Sequence, residues 1–250
     1  DVLPPSASRP SWEGSCMALD DDAPVVSEDE GALLAAGEKL IEKILASGLD
    51  GLGPLKSAQS VAEEVLATSR DPEHAIDRIV ATHKRLLGAT GFASGLGGFV
   101  TLAVAVPADV VAFYTLSARM VGAIAHLRGY DLASEEVRSV AVVCLLGAQG
   151  TAVLSGVGVQ IGTKSATAAL KRLPGRVLIE INRKVGFRLV TKFGQKGVVN
   201  LVKVVPFLGA GVGAALNVAG VAGIAKYART TFVPLNGVDD GPIIEAEVIE

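Results

Sequence analysis

Residues Pro107–Asp131 read PADVVAFYTLSARMVGAIAHLRGYD, and the spacing of their apolar side chains decides the fold. Val110, Phe113, Tyr114, Ser117, Met120, Val121, Ile124 and Leu127 recur every three or four residues. That recurrence lays one stripe along a helix and does not fit the alternation of a strand. Pro107 suits the first helical turn, where its missing N–H breaks no bond. Asp109 then falls in that first turn, where an anion meets the positive end of the helix dipole. Arg128 sits in the last turn and Gly129 is the expected stop. Asp109 and Arg119 are the polar groups of this apolar helix. They stand about 15 Å apart along it, so each needs a partner elsewhere or water.

The neighbouring sequence is apolar in the same way. Leu86–Ala108, Ser139–Thr163 and Val204–Ala225 each run without a charge, for 23, 25 and 22 residues. All three are long enough to span a bilayer. They are rich in Gly, Ala and Ser and poor in Leu, Ile and Phe, so their insertion energies would be marginal. Buried helices of a soluble bundle make the same pattern, and both readings stay open. The glycines of Leu86–Ala108 are not a phosphate loop, because no strand precedes them and no Lys-Ser or Lys-Thr follows. They suit close helix contact, the tip of a hairpin, or both.

Other helices announce themselves by their ends. Asp71-Pro72-Glu73 is an acceptor cap, a proline at the first helical position and an acid in the first turn. Ser134 caps a helix whose first turn carries Glu135 and Glu136. Residues 31–47 carry Leu33, Leu34, Leu40, Ile41, Ile44 and Leu45 at amphipathic spacing. Helical period almost throughout, with short connections, gives an all-α multi-helix bundle. Its Gly/Ala-rich apolar helices lie in a soluble core or are membrane-inserted or re-entrant. Residues 1–30 are expected as a disordered acidic N-terminal tail, 31–232 as a single helical domain and 233–250 as an acidic C-terminal tail. No secretory signal is expected in the first 30 residues, which lack an apolar core.

Between the last two uncharged runs the chain turns basic. Lys164–Lys203 holds ten cations and one acid, Glu180. Leu178, Ile181, Val185 and Leu189 line one helical face there, and Lys184, Arg188 and Lys192 another. A basic amphipathic helix is a surface for anionic lipid headgroups. The site residues expected on it are Lys171, Arg172, Arg176, Lys184, Arg188, Lys192 and Lys196. A solvated face balanced by the acidic ends of the chain explains the same charges. Net charge is −3, which implies no nucleic-acid partner.

No catalytic constellation stands out. Ser94, Ser117, Ser155, His126, Asp109 and Asp131 supply residue types for a hydrolase, without a Gly-x-Ser-x-Gly elbow. The two cysteines, Cys16 and Cys144, form no framework, and Cys144 reads as a small buried hydrophobe. His74, His83 and His126 read as exposed, and no metal or cofactor is expected from their spacing.

Pro107-x-Asp109, Arg119-Met120, Gly129-Tyr130-Asp131 and the later Pro206-Phe207-Leu208-Gly209-Ala210-Gly211-Val212-Gly213-Ala214 occur in that order. Over roughly Ser60–Phe232 this order resembles the EcsC protein family. The family is named for a bacterial protein encoded beside an ABC transporter. The resemblance implies an accessory role near a membrane and supplies no catalytic residues. By the same resemblance, Asn217 stands where many relatives are expected to carry an acid. The expected function is a non-enzymatic membrane-associated accessory or scaffold, with a membrane lipid or a membrane protein such as a transporter as partner. The alternative is a soluble bundle that holds a lipid or other hydrophobic ligand in an apolar cavity. The expected location is the cytoplasmic face of the membrane or the membrane itself, or the cytoplasm if the uncharged runs form a soluble core.

Overall fold

A computed structural model describes residues 28–96, 98–155, 174–193 and 206–235. Among these residues the chain forms eight α-helices and no strand. Helix α1 spans Glu28–Leu45 and runs into a π-helical turn, Ala46–Gly51. Helices α2 (Ala58–Leu66), α3 (Pro72–Leu96) and α4 (Gly98–Leu127) follow. Then come α5 (Glu135–Cys144), a short 3₁₀ turn and α6 (Gly150–Ser155). The last two are α7 (Gly175–Phe193) and α8 (Pro206–Thr231).

Helix α4 is the centre of the bundle, packed by α1, α2, α3, α5, α8 and the π-helical turn. The expected stripe is its buried side: Tyr114, Ser117, Met120, Val121 and Ile124 are buried, and Val110, Phe113 and Leu127 are partly buried. Burial goes further than one stripe. Thr115, Leu116, Ala118, Ala123 and Ala125 are buried too, so this half of α4 is covered on nearly all sides. A helix apolar all round belongs in a core or a membrane. Val110–Leu127 is the one single helix among the described residues long and apolar enough to cross a bilayer, and over half of it is buried inside the fold; the sharply bent pair Glu135–Cys144 and Gly147–Val153 reaches that length only when taken together.

The start of α4 corrects the sequence reading. Pro107 does not open the helix; α4 begins at Gly98 and runs through the proline. A proline there removes one main-chain bond and crowds the carbonyl four residues back, a cost of about 3 kcal/mol. A 30-residue helix absorbs that loss. Asp109 therefore lies well inside the helix and not at its positive end. The stop at Gly129 is as expected. Gly129 has φ +90°, Tyr130 N–H donates to the Ala125 carbonyl at 3.1 Å, and Gly129 N–H donates to the His126 carbonyl at 2.9 Å. This is the pair of bonds that closes a helix through a left-handed residue, which glycine adopts without a Cβ penalty.

The expected caps form. The Asp71 carboxylate accepts from His74 N–H at 2.7 Å at the start of α3. The Ser134 hydroxyl accepts from Val137 N–H at 3.4 Å at the start of α5.

The uncharged runs do not map onto three helices. Leu86–Ala108 is divided between the end of α3 and the start of α4. In Ser139–Thr163 the chain bends by 119° between Glu135–Cys144 and Gly147–Val153, and residues 156–163 lie outside the described residues. Val204–Ala225 lies largely in α8.

Helices α3 and α8 are antiparallel. Arg229 pairs with Asp77 at 2.7 Å, and Asn217 donates its amide to the Leu87 carbonyl at 3.1 Å. Beyond that the two backbones touch at glycines: a Cβ on Gly213 would stand 2.6 Å from the Gly91 carbonyl oxygen. A second glycine crossing joins α1 to α7, where a Cβ on Gly186 would stand 2.7 Å from the Gly37 carbonyl. Arg128 locks the other end of α3 and α8. Its guanidinium grips both Glu73 carboxylate oxygens at 2.9 and 3.0 Å and donates to the carbonyls of Arg229 and Phe232, both at 2.7 Å. The Tyr130 hydroxyl donates to the Val233 carbonyl at 2.9 Å, and its ring meets Phe232 edge-on.

Candidate functional site

The basic helix α7 is amphipathic as its sequence implies. Leu178, Ile181, Val185 and Leu189 are buried, and Gly186 brings the α7 backbone against α1. The apolar side is thus fixed, and the polar side is presented to solvent by geometry. Arg176, Arg183 and Arg188 are exposed and make no ion pair among the described residues. Ile179 stands out among them, 68% exposed. Lys184 is different: it pairs with Glu180 at 2.8 Å, four residues back. Such a surface pair contributes only about 0.3–0.5 kcal/mol, yet it makes Lys184 a poorer anion contact than the arginines. Lys171, Arg172 and Lys196 lie outside the described residues, as does the side chain of Lys192.

A groove of about 430 Å³ opens between α1, α6 and α7. Leu34, Ala152, Val153 and Phe187 supply its apolar lining; Arg183, Lys184 and Arg188 supply cations, and Glu30 and Glu180 carboxylates. Its volume lies in the range of small-molecule sites, and its walls are part apolar and part charged.

The polar pair expected in α4 is not joined by the fold. Asp109 and Arg119 keep their separation along one helix, and the Asp109 side chain lies outside the described residues. Arg119 is half-buried, its Nε has no hydrogen-bond partner, and burial lowers its pKa. Its neighbour is a residue whose role the sequence reading missed. His83 is 3% exposed, against the expectation of an exposed ring. Its Nδ1–H donates to the Ile79 carbonyl at 2.8 Å, and its Nε2 is buried without a partner. Burial, and then the positive charge of Arg119, push the imidazole down to about 4, so it is neutral at pH 7. The signal was available: His83 follows Ile79 by four and precedes Leu87 by four, which puts it on the apolar face of α3.

His126 of α4, partly buried, lies 3.6 Å from the exposed Glu63 of α2. Cys144 is fully buried, and burial pushes its thiol up to about 12, so it is no nucleophile at neutral pH. Among the described residues no three His, Cys, Asp or Glu side chains cluster to hold a metal ion.

An all-α bundle with one basic amphipathic helix packed on its apolar side is the class of protein that this geometry defines. Within that class the chain belongs to the EcsC protein family, whose model matches residues 32–233. No curated protein and no solved structure matches the chain.

Proposed function

We propose that this chain is a non-enzymatic accessory or scaffold protein of bacterial type that works at the cytoplasmic face of a membrane. It meets anionic lipid headgroups through the outer face of α7. The observation that supports this is three arginines, Arg176 and Arg183 on the outer face and Arg188 about a third of a turn round, all exposed and unpaired among the described residues on a helix whose other face is packed. Cations near an anionic membrane surface contribute about 1 kcal/mol each. Changing all three arginines to glutamine then removes about 3 kcal/mol, roughly a hundredfold in affinity. The test is titration with vesicles of phosphatidylcholine and phosphatidylglycerol. Equal binding by wild type and triple variant sinks the headgroup role of α7.

The groove gives a second reading its own footing. A soluble bundle that holds one lipid there would seat acyl carbon on Leu34, Val153 and Phe187 and a phosphate on Arg183 and Arg188. Native mass spectrometry of protein prepared without detergent shows a lipid mass if this holds, and clean apo protein counts against it.

A further inference from the structure

The fold places three uncharged half-helices at one end of the bundle. The α3–α8 register runs from Asp77 with Arg229, through Leu87 with Asn217, to Gly91 against Gly213. The charged parts of the two helices thus lie together, and so do residues 86–96 of α3 and 206–218 of α8, which carry no charge. Helix α4 adds a third uncharged stretch, residues 98–108, that directly follows α3. Its Phe113 ring abuts α8, 3.1 Å from where a Cβ of Gly220 would stand.

This end carries exposed apolar surface. Leu86, Phe92, Leu216 and Val218 are 41%, 49%, 56% and 36% exposed. Its described polar side chains are satisfied inward: the Thr90 hydroxyl and the Asn217 amide both donate to the Leu87 carbonyl. At its base α3 bears Lys84 and Arg85, neither in an ion pair among the described residues. An apolar end with its polar groups turned inward and cations at its base is the charge and hydrogen-bonding pattern of a segment in lipid beneath anionic headgroups. Eleven residues of α3 beyond Arg85 reach about 16 Å, half of a hydrocarbon core about 30 Å thick.

We infer that the uncharged end, where α3 and α8 cross at Gly91 and Gly213, dips into one leaflet of a phospholipid bilayer without crossing it. This rests on the membrane reading above but uses a surface other than α7.

The test places a single tryptophan at the tip, Phe92→Trp, in a Trp12→Phe background, with vesicles of phosphatidylcholine and one third phosphatidylglycerol. Lipids brominated along the acyl chains quench this tryptophan, while one placed by Ala67→Trp at the charged end stays unquenched. The double change Phe92→Ser, Leu216→Ser, at exposed positions, lowers vesicle affinity by about tenfold or more. Vesicle binding without acyl-chain quenching overturns the insertion and leaves the α7 contact standing. Equal quenching at both positions overturns it as well. A stable dimer in buffer that Phe92→Ser, Leu216→Ser dissociates gives this surface to a second copy of the chain and overturns the proposal.

Discussion

His83 makes the core sensitive to acid, and the size of the effect follows from its surroundings. The imidazole is neutral in the fold, with a pKa near 4 against 6.5 for an exposed histidine. A group held in its neutral form by the fold binds fewer protons folded than unfolded, so stability rises with pH between the two pKa values. It is fully present above the unfolded pKa and is lost as pH falls towards 4. At pH 5 the unfolded histidine is almost wholly protonated and the folded one hardly at all, which costs about 2 kcal/mol relative to pH 7. The substitution His83→Leu removes this titration. Ile79 and Leu87 flank the site, so leucine fits its apolar setting, and the loss of one hydrogen bond to the Ile79 carbonyl costs about 1 kcal/mol at pH 7. Urea unfolding of both proteins at pH 7 and pH 5 isolates the histidine, because the carboxylates are common to both. Between these pH values the wild type loses about 2 kcal/mol more than the variant. Parallel losses in the two proteins refute a buried neutral His83.

The Arg128 clamp gives a second outcome. Arg128→Ala strips the carbonyls of Arg229 and Phe232 of their donor and destabilises by about 3 kcal/mol, whereas Glu73→Gln, at a half-exposed partner, costs under about 1 kcal/mol. Thermal unfolding separates the two, at about 2–4 °C per kcal/mol for a domain of this size. At the glycine crossing, Gly213→Val pushes a side chain into the backbone of Gly91, and a fall of several degrees in Tm is expected; an unchanged Tm contradicts the contact. Asn217→Asp replaces the amide that donates to the Leu87 carbonyl with an acceptor. The carboxyl is then favoured in its protonated form, its folded pKa is raised, and the variant's deficit is greatest above that value and shrinks as pH falls through it.

Local chemistry was legible in the sequence, and long-range assembly was not. The Asp71 and Ser134 caps, the Gly129 stop and the two faces of α7 depend on residues within one or two turns, and the helical period reports them directly. The buried side of α4 was legible for the same reason. Pro107 misled because a proline has the same local meaning at a helix start and inside a helix, and only the full length of α4 decides which. His83 was misread from residue type when its spacing to Ile79 and Leu87 already placed it inward. Glu180 and Lys184 are four residues apart, so their pairing was also within reach. The uncharged runs were seen as separate stretches because composition is local. That 86–96, 98–108 and 206–218 lie at one end follows from Gly91 meeting Gly213 and Asn217 meeting Leu87, more than a hundred residues apart in sequence.

The most direct test of the account is flotation of the full chain with vesicles in a density gradient. The chain rises with phosphatidylglycerol-containing vesicles, rises far less with phosphatidylcholine alone, and loses binding as salt is added. A chain that stays at the bottom of the gradient with both lipids contradicts a role at the membrane.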